Sequence, residues 1–141
     1  MSTDRKLFSL CEEIQSELGC DFVGVTFQNQ SSPDFSWLFV SGNLNNKYKK
    51  IKIRIGIGLI GKALSRGSTI VVNNLPNELT RNRTDYPIML AEKLVSAVAV
   101  PLFLHGLPKG VFMIGKRTFH EFVEEEIMKV KNIAGKIEVL L

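Results

Sequence analysis

Three glycines, Gly56, Gly58 and Gly61, stand in the order G-x-G-x-x-G within the stretch Arg54-Ile-Gly-Ile-Gly-Leu-Ile-Gly-Lys-Ala-Leu64. Glycines so spaced can bring an anion against the first turn of a helix, where backbone N–H groups lack intrahelical acceptors. Dinucleotide binding needs more: a strand before the glycines, a helix, a second strand, and an acid at its end for the ribose. The next apolar run, Thr69 to Val72, ends in Asn73-Asn74, with no carboxylate there. A Walker phosphate loop is excluded, because Ala63 and not Ser or Thr follows Gly61-Lys62. The pattern therefore reads as a helix start: Gly56 turns the chain, Gly58 is the N-cap, and Gly61 allows close packing. Glycine has no side-chain oxygen, so the N–H groups of Leu59 and Ile60 stay open to an anion. Lys62 is expected to project from the surface of this helix.

The stretch Thr84-Asp-Tyr-Pro-Ile-Met-Leu-Ala-Glu92 repeats the logic. Proline suits a first helical position, so Pro87 marks a second helix start with the N–H of Ile88 free. Two open starts lined by Leu59, Ile60, Pro87 and Ile88 would form an apolar pocket with amide donors. The plainer reading, that separate waters or side chains cap these ends, stays open at this point.

Other chemistry is sparse. Cys11 and Cys20 lack metal-ligand spacing and read as free, semi-buried thiols. His105 and His120 have no carboxylate or cysteine at ligand spacing and read as solvated surface histidines. Glu124 to Glu126 suit the first turn of a helix, where negative charge meets the dipole. Lys47, Lys49, Lys50, Lys52 and Arg54 form a basic stretch with only Tyr48 interleaved, too little aromatic surface for nucleic acid. Trp37 is the only tryptophan; if buried, its indole N–H needs an acceptor.

The elements that must position these groups follow from periodicity. Leu7, Leu10, Cys11, Ile14 and Leu18 recur at helical spacing, with Gly19 as a stop. Strands are expected at Asp21 to Gln28 and Phe35 to Val40, paired as a hairpin. Ile51 to Ile55 alternates and reads as a further strand. A short helix follows over Leu59 to Ser65, then a strand over Thr69 to Val72, a polar loop over Asn73 to Asp85, and a helix over Pro87 to Leu94. Strands at Ala97 to Leu104 and Gly110 to Gly115 join through His105 to Lys109. A last helix over Glu121 to Val139 buries Phe122, Ile127, Val130, Ile133, Ala134 and Ile137. The order is that of one α+β domain over residues 1–141, with an antiparallel sheet between terminal helices.

Hydrophobic residues make up 45% and charged residues 23% of the 141, the balance of a folded globular chain. The net charge of +4 suits an anionic ligand or acidic partner but does not by itself argue for nucleic acid. No run reaches the roughly 20 apolar residues that span a bilayer, and no secretory leader is visible. The expected location is the cytoplasm.

The phrases R-I-G-I-G-L-I-G-K-A-L, T-I-V-V-N-N and S-A-V-A-V-P-L-F-L-H-G-L-P-K-G-V-F-M-I-G resemble those of a GAF domain, over nearly the whole chain. Within that family the chain is most similar to the nitrate receptors of the NreA type. The likeness is carried by Trp37-Leu-Phe-Val-Ser-Gly-Asn-Leu-Asn-Asn-Lys-Tyr-Lys-Lys-Ile51, the glycine segment, and Tyr86-Pro-Ile-Met-Leu-Ala-Glu92. The resemblance implies terminal helices on one sheet face and a ligand cavity on the other. It implies nitrate as the ligand, with Trp37, Leu59, Ile60, Tyr86, Pro87 and Ile88 around it, and neither a cofactor nor a metal. The chain departs from the family at Ile57, where a lysine is usual, and at Ile60, where a small residue is usual and the larger side chain is expected to narrow the cavity. The resemblance also implies a cytoplasmic sensor histidine kinase as partner and no enzymatic activity. The terminal helices are the expected contact of a homodimer. Three other readings are a GAF domain that binds another small anion or metabolite, a thiol-dependent reductase of free methionine sulfoxide, which would need cysteines around the cavity, and a ligand-free interaction or dimerisation module.

Overall fold

The computed structural model describes residues 3–75 and 86–141. Five strands form one antiparallel sheet: β1 (Phe22–Gln28), β2 (Phe35–Ser41), β3 (Ile70–Val72), β4 (Ser96–Leu104) and β5 (Leu107–Lys116). Their order is β2-β1-β5-β4-β3. Successive side chains of a strand point to opposite faces. Val23, Val25, Val98, Val100, Leu102, Phe112 and Ile114 accordingly share one apolar cluster, while Phe22, Ala97, Ala99, Val111 and Met113 belong to another.

The first cluster is covered by the two long helices, α1 (Thr3–Leu18) and the last, Glu124–Leu140. Helix α1 contributes Leu7, Cys11, Ile14 and Leu18, one stripe at helical spacing. It stops at Gly19, whose φ of 61° lets its N–H reach the Gln15 carbonyl at 2.8 Å. The last helix buries Val130, Ile133, Ala134 and Ile137. The opposite cluster takes Leu59, Ile60, Ala63 and Leu64 from α2 (Gly58–Arg66), and Ile88 and Met89 from α3 (Pro87–Ala91). The small side chains of Ala97 and Ala99 leave depth for these short helices. The helix at the C-terminal end is thus α4.

Four expectations change. The last helix starts at Glu124, not Glu121, with Val123 as its cap residue, so Phe122 is buried just ahead of the helix and not on it. Ile51 to Ile55 is not a strand and joins no sheet among the described residues. Ile51 and Ile53 pack toward the second cluster while Lys52 and Arg54 stay exposed, so the alternation records one-sided burial without a ladder. Strand β5 begins at Leu107, not Gly110. His105 (φ 54°) and Gly106 (φ 78°) alone make the turn, both in the left-handed region that a two-residue hairpin favours. Helix α3 ends at Ala91, and Lys93 at φ 55° turns the chain away before Leu94. The loop expected over Asn73 to Asp85 lies outside the described residues from position 76 onward. No helix among the described residues is long and apolar enough to cross a membrane.

Candidate functional site

Helix α2 starts as its glycines require. Gly56 has φ 92°, and its N–H meets the Gly61 carbonyl at 2.8 Å. Gly58 has φ 73°, a conformation that side-chain-bearing residues rarely hold. Gly61 packs so tightly that a Cβ would stand 2.0 Å from the Arg54 carbonyl oxygen. By hydrogen bonding the helix begins at Gly58, with Ile57 as the preceding cap residue and no side-chain cap. The cap thus stands one residue earlier than expected, but the Leu59 and Ile60 N–H groups are still within the first turn and lack intrahelical acceptors. Helix α3 opens the same way, with Pro87 first, Tyr86 before it, and no side-chain cap.

Both starts border one cavity of about 510 Å³. Five of the six residues expected around the ligand line it: Leu59, Ile60, Tyr86, Pro87 and Ile88. Gly58, Leu59, Ile60, Gly61, Tyr86 and Ile88 are buried and form its floor. The exposed Lys50, Lys52 and Arg54 form its rim, and among the described residues none of the three is in an ion pair. Even with Ile60 in its wall, the cavity is of ordinary ligand-pocket size.

Trp37 is not part of that wall. It packs on the same apolar cluster from β2, edge-to-face against Phe22 and Tyr48, each with ring centroids 6.1 Å apart. Its ring lies over Gly24, where a Cβ would meet it at 2.4 Å. The indole Nε1 is buried with no hydrogen-bond partner. A buried donor left unpaired costs about 1–3 kcal/mol, so this group is an unmet demand for an acceptor.

Lys62 does not simply project from the helix surface. Its Nζ donates to the Tyr86 hydroxyl at 2.8 Å. The same ammonium lies 5.1 Å from the Tyr86 ring centroid. Being bonded to the hydroxyl, it approaches the ring from the oxygen end, so the contact is a hydrogen bond more than a cation–π pair.

Behind the site lies a polar knot that the sequence reading missed. Glu92 is fully buried, and its Oε1 accepts from the Leu44 N–H at 2.7 Å and from the Arg117 guanidinium at 3.0 Å. Arg117 also donates to the carbonyls of Glu92 (2.9 Å) and Gly42 (2.8 Å). Asn45 Nδ2 donates to the Ala91 carbonyl at 3.1 Å. The S-G-N-L-N and Y-P-I-x-x-A-E strings, far apart in sequence, are therefore bonded to each other. The signal available was a charged residue directly after the apolar α3 segment, with an arginine just past β5.

The remaining candidates lie elsewhere. His105 is exposed in its turn. His120 differs from expectation: it is half-buried, and its Nε2 meets the Glu126 carboxylate at 2.9 Å. Burial alone would raise the Glu126 pKa, but bonds from His120 and the Val123 N–H, with the charge of His120, bring it below its ordinary value. Val123 carries no side-chain acceptor, so the Glu126 carboxylate supplies the capping bond at this helix start. Cys11 and Cys20 are free thiols in the first cluster, across the sheet from the cavity. Burial, chiefly, pushes them up to about 12 and about 11, which makes them poor nucleophiles. Among the described residues no group of three or more His, Cys, Asp and Glu could hold a metal ion.

An antiparallel sheet thus carries long helices on one face and, on the other, short helices over a cavity of ligand size. The chain belongs to the GAF domain family, whose sequence model matches residues 6–141. Among solved structures it is similar to the NreA protein of Staphylococcus aureus, in a form mutated in the nitrate binding site. The identity is 34% over 86% of this chain and 92% of that one, with a TM-score of 0.76. A hypothetical protein of S. aureus matches at 33% identity, 84% and 99% coverage, and a TM-score of 0.73. The free methionine-R-sulfoxide reductase of Neisseria meningitidis shares the fold at 22% identity, 99% and 77% coverage, and a TM-score of 0.79. No curated protein matches the chain.

Proposed function

We propose that this protein is a cytoplasmic nitrate sensor that acts on a histidine kinase of a two-component system, and that it is not an enzyme. The observation that carries the reading is the convergence of two uncapped helix starts on one cavity. Leu59, Ile60 and Ile88 offer backbone N–H groups there, and Tyr86 and Pro87 complete an apolar wall. Nitrate spreads one charge over three oxygens, and a buried anion needs a donor for each. Trp37 stands outside the cavity wall but packs on the same apolar cluster as Leu59, Ile60 and Tyr86, and in this reading its buried, unpaired indole N–H is a further donor once the anion is seated at the Trp37 side of the cavity floor. The NreA relative, with its nitrate binding site, supports the choice of anion. The basic rim of Lys50, Lys52 and Arg54 raises the local anion concentration.

A reductase would need reactive thiols at the cavity. Both cysteines lie across the sheet, with their thiolates disfavoured, which supports a binding role. A sensor's output requires that the ligand-bound and free forms differ in affinity for the partner. The test is thermal unfolding with increasing sodium nitrate against sodium chloride at equal ionic strength. A nitrate-specific rise in melting temperature is expected, because a ligand selective for the native state stabilises it. Equal curves in the two salts would refute the reading.

A further inference from the structure

The cavity is several times larger than a small anion, so its shape alone does not fix where such an anion sits. Directed donors must do so. Tyr86 is 9% exposed and lines the cavity immediately before Pro87. A lysine ammonium has donors only, so in the 2.8 Å contact Lys62 donates and the Tyr86 oxygen accepts. The tyrosine therefore keeps its own O–H proton, and that proton has no acceptor among the described residues. An oxygen that accepts from a cation is also a stronger donor, because chained hydrogen bonds polarise one another. Lys62 itself lies outside the cavity wall, one hydrogen bond removed.

We propose that Lys62 is a positioning residue of the anion site: its ammonium holds the Tyr86 oxygen as an acceptor, so that the hydroxyl proton is delivered to the anion. This rests on the reading of the cavity as an anion site. The contact also ties α2 to the start of α3, the two elements whose open ends border the cavity. The lysine acts through the hydroxyl and does not touch the ligand. A Met side chain of similar length in its place would leave the hydroxyl free to rotate and less polarised.

The experiment is a mutant cycle read by calorimetry at constant ionic strength, with circular dichroism on every variant. Tyr86→Phe, Lys62→Met and the double variant are titrated with sodium nitrate, sodium formate and sodium acetate. Tyr86→Phe is expected to weaken nitrate on the order of tenfold or more, as loss of a hydrogen bond to a charged group does. Lys62→Met is expected to weaken it on the order of tenfold, and the double variant no further than Tyr86→Phe alone. Lys62→Arg, which keeps a charged donor, should recover most of the affinity. A merely structural lysine would give neither the non-additivity nor the recovery. If Lys62→Met fails to fold, Lys62→Leu, which likewise has no donor, takes its place in the cycle. Losses that multiply in the double variant, or a folded Lys62→Met that binds as tightly as the parent, would overturn the proposal. A parent that binds formate or acetate but not nitrate, with the same non-additive cycle, would refute the nitrate reading and leave the Lys62–Tyr86 pair standing. A parent that binds none of the three would refute both.

Discussion

Substituting Trp37 with phenylalanine separates ligand binding from packing. In the free protein the indole N–H is buried and unpaired, a penalty of about 1–3 kcal/mol. Trp37→Phe removes that donor and some apolar area, a loss of about 1–2 kcal/mol. The two terms oppose each other, so the ligand-free variant should melt close to the parent. With nitrate the variant loses a donor to a charged ligand, about 1.5–3 kcal/mol, or roughly ten- to a hundredfold in dissociation constant. At nitrate about 100 times the parent's dissociation constant, the parent gains about 2.7 kcal/mol, a tenfold weaker variant about 1.4 and a hundredfold weaker one about 0.4. At roughly 2–4 °C per kcal/mol for a domain near this size, the parent rises by about 5–11 °C and the variant by about 1–6 °C. Differential scanning fluorimetry with and without nitrate measures both effects. A variant whose nitrate-induced rise equals the parent's would show that the indole has no part in binding.

Gly61→Ala should lower stability by about 1–3 kcal/mol and weaken nitrate as well, because the new methyl meets the Arg54 carbonyl and displaces the turn that opens α2; urea unfolding and calorimetry check the two effects. Glu92→Leu should cost about 3 kcal/mol, the lower end for a broken buried pair since Arg117 keeps partial exposure and two carbonyl partners. Glu92→Gln, which keeps an acceptor for Leu44, should lose less in the same urea titration. Glu126 has a depressed carboxyl pKa, so its contribution is present above the unfolded-state value and is lost as pH falls through the folded-state value. Glu126→Gln should therefore flatten the acid side of the stability–pH curve, and an unchanged curve would contradict the His120 pairing.

Local periodicity made most of the fold legible. Leu7, Cys11, Ile14 and Leu18 mark α1 because one stripe of a helix is covered, and Val98, Val100 and Leu102 mark β4 because alternate residues face α1 and α4. The same signal misled at Ile51 to Ile55, where alternation records a half-buried cavity edge and hydrogen bonding is the missing part. Gly56, Gly58 and Gly61 were readable because positive φ and close approach leave few other residue types. The joining of Leu59, Ile60, Tyr86, Pro87 and Ile88 at one cavity depends on how α2 and α3 lie on the sheet, which no local pattern encodes. Long-range polar contacts were least legible: Lys62 with Tyr86, and Glu92 with Leu44 and Arg117, join positions 24 to 48 residues apart.

The burial of Cys11 and Cys20 leaves the native thiols silent toward reagents that need a thiolate. A single cysteine introduced at the exposed rim position Lys52 would then be the group that a maleimide dye labels, with both native residues left in place. A fluorophore there would sit at the mouth of the cavity, and its emission would report occupancy in real time without removing either core thiol.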